Sequence, residues 1–457
     1  MTTKKNMYKR ELITALQDWK TSTIRKPLLL RGARQVGKTT LVHHFAKKYT
    51  QYIYLNLEKK ADAIHFIKYS DAQNILDTLL LANRLKPVSQ ATTLLFIDEI
   101  QELPDAIALL RYFYEDIPEL HVIAAGSLLE HAMGKVSSFP VGRVQYMYLF
   151  PLHFQEYLQA FGMEMLLDKL KQVPVDSATH DVAMQWFHQY ALVGGMPEVV
   201  AHYAKHQSLV ELSSIYESIW TSYSDDVVKY AKNATEEKVI KHILKTAPHY
   251  LDSRVTFQSF GNSNYRSREV GESFRALDDA KIIQLIYPGT SVEFPLIVDY
   301  KKSPRMQFLD TGILNFVLGI QIELIEVEDL TTSYKGALVP HLVTQELIAL
   351  QQTCYKKPHF WVRQKKDAQA EVDIIYNYKN LLIPIEIKSG KAGKLRSLNQ
   401  FVDRAPHPYA VRMYAGEFSI EKHKTPSGTS FYLMNLPYYL ATYIDLYLTF
   451  FVTNYKQ

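Results

Sequence analysis

The sequence GARQVGKTT, residues 32–40, is the stretch that decides the fold of this 457-residue chain. It follows the apolar run PLLL, residues 27–30, and precedes LVHHFAKKY, residues 41–49. The first run predicts a strand and the second a helix. Within the stretch, residues 32–39 fit the pattern G-x-x-x-x-G-K-[ST] at each fixed position. A strand, a glycine-rich loop and a helix in this order predict a phosphate-binding loop.

Each residue type in this loop has a chemical reason. The two glycines let backbone N–H groups curl around phosphate oxygens, and the helix that follows adds its positive end. The Lys38 side chain would reach the β- and γ-phosphates of a nucleoside triphosphate, and Thr39 would ligate Mg²⁺. The predicted nucleotide-binding residues are Gly32, Ala33, Arg34, Gln35, Val36, Gly37, Lys38, Thr39 and Thr40.

A second motif, LLFIDEIQELPD at residues 94–105, supplies the acids that such a loop requires. Its four apolar residues are typical of a parallel strand that is buried on both faces. Asp98 follows the run and would complete the Mg²⁺ site with Thr39. Glu99 comes next and is placed to orient and deprotonate an attacking water. The alternative is a strand that ends in two solvated acids.

Two later residues are candidates for contact with the phosphates. Ser127 ends the apolar run HVIAAGS, so its hydroxyl is a candidate contact for the γ-phosphate or the water, although serine is also ordinary at a turn. Arg143 lies in FPVGRV, and an arginine supplied in cis or by a neighbouring subunit can stabilise transition-state charge. The alternative for Arg143 is a plain surface arginine.

These motifs resemble the prokaryotic AAA+-like ATP-binding proteins that carry a DUF4143-type C-terminal region. The resemblance rests on GARQVGKTT, LLFIDEIQELP, AAGSLLE, PVGRV with LFPLHFQEYL, and GGMPEVV, which together span about residues 10–200. It implies ATP binding and hydrolysis with Mg²⁺ on a doubly wound α/β core, here residues 1–150. It also implies that Ser127 acts as a sensor of the phosphate and that Arg143 is the functional arginine, so that Lys38, Glu99, Ser127 and Arg143 form the catalytic set.

The middle of the chain predicts two smaller regions. Residues 151–210 are rich in helix formers and are interrupted by GGMP, which is typical of a helical lid or of a simple helical connector. Residues 211–334 alternate helical and strand patterns in the order of a winged helix. Arg266, Arg268 and Arg275 would meet phosphates if its second helix entered a groove, but nearby acids offset them and favour a protein-binding or structural role.

The FLDTG sequence at residues 308–312 resembles a signature of the same family. We expect it to have a packing role.

Residues 335–457 predict a helix, three strands and a helix, the core order of restriction-endonuclease-like folds. In AEVDIIY and LLIPIEIKS, Asp373 is followed by the pair Glu386 and Lys388. Alternate residues of a strand share a face, so Glu386 and Lys388 would lie together. Two carboxylates hold a divalent metal in such sites and the lysine activates water, which makes these three residues a candidate second metal site.

The opening helix departs from the family pattern, in which the resemblance leads us to expect an acid after GAL. Pro340 stands at that position, and Glu346 lies six residues later. We therefore keep two alternatives open, an active nuclease-like site and an inherited but inactive one.

Composition narrows the class of protein. The chain is 47% hydrophobic and 22% charged, which is ordinary for a globular protein, and its one cysteine, Cys354, fits a reducing cytosol. We expect a cytoplasmic protein without a signal peptide or membrane span. Residues 356–430 hold 14 Lys and Arg against 7 Asp and Glu, whereas the whole chain carries only +5. Nucleic acid is therefore one candidate partner, besides a protein partner or further copies of the chain.

Other catalytic patterns are missing from the sequence. We find no GxSxG element, no HExxH and no other metal-spaced cluster among the 16 histidines. The sequence thus predicts a Mg²⁺-dependent ATPase whose nucleotide state controls a winged-helix and nuclease-like C-terminal half. The alternative is an ATP-gated protein-interaction switch with an inactive nuclease-like domain.

Overall fold

A computed structural model describes residues 8–127, 129, 136, 139–228, 231–251, 253–321, 336–363, 370–388 and 395–455. The chain divides into two units. The first consists of Met1–Pro151 with Asp279–Lys281 and Gln351–Tyr355, and the second consists of the remaining residues up to Gln457. The mixed α/β class predicted from the sequence is confirmed.

The first unit is built on a parallel sheet of five strands in the order β2-β3-β4-β1-β5. Every residue of β3 and β4 is buried, because helices cover both faces of a parallel sheet and leave its central strands no solvated side. The strands are β1 (Leu28–Arg31), β2 (Gln51–Asn56), β3 (Thr93–Asp98), β4 (His121–Gly126) and β5 (Gln145–Tyr148).

The helices of this unit follow the strands in the alternating order of a doubly wound fold. They are α1 (Leu12–Thr21), α2 (Lys38–Ala46), α3 (Lys60–Lys68), α4 (Ala72–Ala82) and α5 (Pro104–Asp116). β1, β3 and β4 are adjacent and parallel, so their carboxyl ends meet at one edge of the sheet. The glycine-rich loop, Glu99 and Ser127 all follow these ends, which brings them to the same edge. This is the P-loop NTPase fold expected from the sequence.

The second unit begins with a run of helices. Those after residue 152 are α6 (Phe154–Ala160), α7 (Glu164–Leu170), α8 (Ser177–Val193), α9 (Pro197–His206), α10 (Leu212–Val228), α11 (Ala234–Thr246), α12 (Ser267–Asp279), α13 (Thr311–Leu318), α14 (Leu338–Ala349), α15 (Arg396–Val402) and α16 (Ile444–Asn454). The GGMP turn falls between α8 and α9, as its glycines and proline predict. Among the described residues, none of the helices has the length and apolar character that a membrane crossing requires.

Two sheets complete the second unit. A pair of antiparallel strands, β6 (Ile283–Ile286) and β7 (Arg305–Phe308), follows α12. A six-stranded sheet has the order β12-β13-β11-β10-β9-β8. Its strands are β8 (His359–Val362), β9 (Glu371–Tyr378), β10 (Leu381–Ile387), β11 (Tyr409–Tyr414), β12 (Ser419–Lys424) and β13 (Ser430–Pro437). The three strands predicted at the start of this region are confirmed, whereas β11, β12 and β13 were not predicted.

The FLDTG sequence forms a buried polar junction in the second unit. The Asp310 carboxylate caps α13 by accepting from Ile313 N at 3.0 Å, and it accepts from Gly195 N at 2.6 Å. Gly195 packs so closely that a Cβ there would lie 2.0 Å from Leu152 O. Burial raises the pKa of Asp310 to about 6 against the opposing effect of these backbone donors. The packing role expected for FLDTG is therefore that of a hydrogen-bonded clamp on the GGMP turn.

Candidate functional site

The first candidate site lies where the P-loop meets β3. Thr39 Oγ1 donates a 2.7 Å hydrogen bond to Asp98 Oδ2, and Tyr54 Oη donates to the same oxygen at 3.4 Å. Asp98 is 2% exposed, and burial raises its pKa while the bond from Thr39 opposes that shift. A hydroxyl and a carboxylate in contact beside the loop are the oxygen ligands that Mg²⁺ accepts in nucleotide sites.

The loop itself adopts a backbone that only glycine tolerates at two points. Gly32 has φ 150°, and a Cβ there would lie 2.2 Å from Leu149 O; Gly37 has φ 97°. The Lys38 side chain folds back over the loop and donates to Gly32 O at 2.9 Å and to Ala33 O at 2.8 Å. Burial lowers the pKa of Lys38 to about 8. The ammonium group is thus held by carbonyls of the loop itself.

The other residues of the loop differ in exposure. Val36 is buried, and its carbonyl accepts from Arg10 at 2.9 Å. Arg34 forms a 3.4 Å ion pair with Glu58 at the surface. Gln35, which has φ 61°, and Thr40 are exposed.

Glu99 is held by a residue that the sequence reasoning did not single out. Gln101 Nε2 donates a 2.6 Å hydrogen bond to Glu99 Oε2, and Glu99 itself has the uncommon φ of 51°. Gln101 is 8% exposed and packs against Gly126, where a Cβ would lie 2.3 Å from Gln101 Oε1. The glycine at the end of β4 therefore makes room for the amide that orients Glu99.

Ser127 directly follows Gly126, the glycine against which Gln101 packs. Gly126 is in register with Arg31, so Ser127 follows β4 at the level where the P-loop begins. The Ser127 side chain is 5% exposed, and among the described residues its Oγ has no hydrogen-bond partner. A buried hydroxyl without a partner is costly. At this place it fits a site whose ligand brings additional oxygen atoms.

Arg143 lies at the other edge of the same sheet. It precedes β5, whose first residue is in register with Leu28 at the start of β1, whereas the P-loop follows the end of β1. Its guanidinium pairs with Glu115 at 2.8 Å, and Glu115 also pairs with Arg111. The length of β1 therefore separates Arg143 from the P-loop of its own chain.

The second candidate site lies on β9 and β10 of the six-stranded sheet. Lys388 Nζ donates to Glu386 Oε1 at 2.5 Å, as expected for side chains on one face, and Asp373 Oδ2 accepts from Ile387 N at 2.9 Å. Glu386 is 6% exposed. Burial, and then the charge of Asp373, raise the pKa of Glu386 to about 7 against the effect of Lys388. The three predicted residues are thus neighbours.

An arginine from β7 reaches this acidic group. Arg305 forms an ion pair with Glu371 and lies 3.4 Å from Asp373 Oδ1. Arg254 also pairs with Glu371, and both guanidinium groups lie over the Phe360 ring. The sequence reasoning missed Arg305, because it is 68 residues from Asp373 and no local pattern marks it.

Comparison with known families divides the chain into three parts. Residues 24–158 match the family described as AAA domain, and residues 335–439 match the domain of unknown function DUF4143. The chain carries an AAA-type P-loop ATPase domain and a DUF4143 region. Between them, residues 184–323 match a further domain of unknown function, DUF8612. The resemblance inferred from the sequence is confirmed.

Three similar solved structures have low sequence identity to this chain. The Aeropyrum pernix ORC1 protein in complex with DNA is 13% identical, with 68% of this chain and 91% of that chain covered and a TM-score of 0.29. The Thermotoga maritima RuvB Holliday junction branch migration motor is 16% identical, with coverage of 64% and 93% and a TM-score of 0.29. A STAND protein, PH0952 from Pyrococcus horikoshii, is 11% identical, with coverage of 75% and 48% and the same TM-score. No match was found among curated proteins.

In the DUF4143 region, the opening helix supplies no carboxylate to the second candidate site. Pro340 lines the same cleft as Asp373 and Arg305, at the position where the family resemblance leads us to expect an acid. The Glu346 carboxylate is buried elsewhere: it accepts from Phe154 N at 2.9 Å and from Tyr190 Oη at 2.6 Å. Glu346 therefore does not take the place of the missing acid, because its helix turns it toward α6 and α8.

In the DUF8612 region, α11, α12 and the pair β6–β7 follow one another along the chain. Residue 254 bridges to β7 and extends this small sheet. Arg266, Arg268 and Arg275 are exposed, and Arg268 pairs with Glu272 at 2.9 Å. The acids of α12 thus engage at least one of the three arginines.

Two histidines and a glutamate converge at the end of α9. Among the described residues, His202, His206 and Glu211 bring their ligand atoms within 4.8 Å of one another. The expectation that the histidines form no metal-spaced cluster is therefore wrong: His202 and His206 are four residues apart on α9, which places them on one face of the helix. The spacing could have been recognised in the sequence.

Proposed function

We propose that the chain binds ATP with Mg²⁺ and hydrolyses it. The observation that carries this proposal is the contact of Thr39 with Asp98 beside Glu99, at the edge of the sheet where the P-loop begins. The oxygen donors, the glycine backbone and the buried Ser127 hydroxyl all fit MgATP. When bound, Mg²⁺ would neutralise charge on the phosphates.

The residues of the chain would then act as follows. Lys38 exchanges its two loop carbonyls for the β- and γ-phosphate oxygens, which offer its ammonium group stronger, charge-assisted hydrogen bonds. Thr39 and Asp98 hold the metal. Glu99 accepts the proton of the attacking water, while Gln101 keeps its carboxylate in one orientation. Ser127 donates to the γ-phosphate or to that water.

Arg143 would act on the nucleotide of a neighbouring copy. Support for this is its place at the edge of the sheet opposite its own P-loop, where its charge is now paired with Glu115. An arginine supplied in trans requires an oligomer, so we propose that ATP turnover depends on assembly of the chain.

The experiment that tests this function is ATP turnover by the purified full chain, with and without Mg²⁺. We expect turnover that needs Mg²⁺ and that is abolished in Lys38→Ala, because Lys38 is the buried cation of the loop that we propose to bind the phosphates. Lys60→Ala, which removes an exposed lysine of α3, is the matched control and should keep wild-type turnover. A chain that binds MgATP but never turns it over, at any concentration that permits assembly, would contradict the proposal.

We further propose that the C-terminal half serves as a docking surface rather than as an active nuclease. The order of α14, three antiparallel strands, α15 and the parallel strand β11 supports a restriction-endonuclease-like domain. Its acidic group is nevertheless paired with Arg305, and Pro340 replaces the acid of the first helix. A guanidinium among the carboxylates competes with a divalent cation for them. The other candidate function is cleavage of nucleic acid under control of the ATPase. Two sequence features favour it: the basic composition of the C-terminal region and the winged-helix order of patterns in residues 211–334.

Cleavage assays separate these two functions. The substrates are linear DNA and RNA, each with Mg²⁺ or Mn²⁺ and with or without ATP. We expect the wild type to cleave them no more than two control variants, Asp373→Ala and Lys388→Ala. We expect Arg305→Ala to raise the affinity of the acidic group for Mn²⁺ at least tenfold, because it removes a competing cation. Metal-dependent cleavage by the wild type that is lost in both control substitutions would establish the nuclease instead.

The remaining expectations stay part of this proposal. One exposed cysteine fits a cytoplasmic protein. The partner of the C-terminal half is proposed to be a protein, with nucleic acid as the alternative.

A further inference from the structure

A group of three potential metal ligands lies outside both sites described above. His202 and His206 occupy the last two turns of α9, and Glu211 directly precedes α10. His202 Nε2 lies 2.7 Å from Glu211 Oε2, and His206 Nδ1 lies 3.9 Å from the same oxygen. The two imidazole rings are stacked with their centroids 4.4 Å apart.

The local fold explains this convergence. The apolar residues of α9, Val199, Val200 and Tyr203, face the core, so the opposite face with the two histidines is left to solvent. Gln207 ends the helix in the left-handed conformation with φ 55°, and its N–H donates to Tyr203 O. The chain then turns back, which returns Glu211 to the face it has just left. Backbone geometry, and not the ion pair alone, therefore brings the three side chains together.

We propose that His202, His206 and Glu211 form a binding site for a divalent transition metal, with Zn²⁺ as the preferred ion. Two imidazole nitrogens and one carboxylate are a ligand set that Zn²⁺ uses, and three protein ligands leave a fourth position for water. Bonds of about 2.0 Å at tetrahedral angles separate neighbouring ligand atoms by about 3.3 Å. The observed separations of 2.7 Å and 3.9 Å lie on either side of that value.

The exposure of the group allows the small adjustment that binding requires. The side chains are 30%, 39% and 52% exposed for His202, His206 and Glu211 respectively, so an ion can enter and the side chains can rotate. A plain ion pair between His202 and Glu211 accounts for the shorter distance only. It does not require His206, whose nitrogen is beyond hydrogen-bond distance of the carboxylate.

Metal binding would connect the end of α9 to the beginning of α10. These helices lie on either side of residue 210, where the sequence predicts the boundary between the helical region and the winged-helix-like region. The bound ion would restrict the turn at residues 207–211, and it would do so independently of the nucleotide. Substitutions of these exposed side chains are not expected to unfold the chain, because none of the three belongs to the core.

The test is calorimetric titration of the full chain with ZnCl₂ at pH 7.5 without nucleotide, together with the visible absorption of bound Co²⁺. We expect one tight Zn²⁺ per chain in the wild type and a loss of affinity of at least tenfold in His206→Ala and in Glu211→Gln. His249→Ala, which removes an exposed histidine elsewhere, and Cys354→Ser, which removes the exposed thiol, should bind as the wild type does. Zn²⁺ should also raise the Tm of the wild type and leave that of His206→Ala unchanged.

Several results would overturn the proposal. Absence of a one-to-one Zn²⁺ complex in the wild type would do so, as would unchanged affinity in His206→Ala, which is the result expected of an ion pair alone. Loss of the tight site in Cys354→Ser would assign the metal to the thiol. ATP turnover is not part of the readout, so failure here would leave the proposed ATPase function standing.

Discussion

The Glu99→Gln protein is expected to bind MgATP about as tightly as the wild type and to hydrolyse it at least about 100-fold more slowly. Glu99 is the group that follows β3 beside Asp98, and the Gln101 amide holds it. Removal of a general base typically costs 10²–10⁴-fold in rate. Glutamine keeps the size of the side chain but accepts no proton from water at neutral pH. Steady-state phosphate release and titration with a fluorescent ATP analogue measure the two quantities separately.

A matched control lies in the same turn. Glu102 is exposed and three residues from Glu99, so Glu102→Gln should change neither binding nor turnover. Gln101→Leu removes the orienting amide and keeps Glu99, so an intermediate loss of turnover with unchanged binding is expected. Equal turnover in Glu99→Gln and wild type would show that another group accepts the proton.

Asp310→Ala is expected to lower the free energy of unfolding of the second unit by about 2–6 kcal/mol. The substitution leaves Gly195 N and Ile313 N buried without an acceptor, at about 1–3 kcal/mol each, and the bond lost at Ile313 N is also the cap of α13. Urea unfolding followed by tyrosine and tryptophan fluorescence measures the loss. Asp181→Ala replaces an exposed aspartate on α8 and should change stability by no more than about 0.5 kcal/mol.

The pH dependence of this loss tests the environment of Asp310. Burial raises the folded-state pKa to about 6, above its ordinary value of 3.8, so the folded chain binds this proton more tightly than the unfolded chain. The contribution of Asp310 is therefore complete below about pH 4 and declines as the pH rises through 6. We expect Asp310→Ala to cost about 1–2 kcal/mol more at pH 5 than at pH 8. A cost that grows with pH would instead mean that the backbone donors outweigh burial and stabilise the ionised form.

Much of the ATPase core could be predicted because its signals are local. Nine consecutive residues directly after β1 contain the glycines and the helix start of the P-loop, and β3 is recognisable as an uninterrupted apolar run that ends at Asp98. The structure supplies the strand order, with β4 between β1 and β3, and this order brings Thr39 to Asp98 although 59 residues separate them. The motif also predicts the glycine at 32, and the structure gives the reason for it: a Cβ there would lie 2.2 Å from Leu149 O.

The sequence by itself determined the type of chemistry available: a phosphate-binding loop, a pair of acids after a buried strand, and a glutamate and a lysine two residues apart at the end of β10. Only the tertiary structure decided which of these charges face one another. It paired Arg305 with Asp373, turned Glu346 toward Phe154 from 192 residues away, placed Arg143 at the edge opposite its P-loop, and brought Gln101 onto Glu99. The physical reason is the distance along the sequence over which each kind of information acts. A helix or strand pattern fixes the direction of a side chain relative to its own element, whereas its partner depends on how distant elements pack.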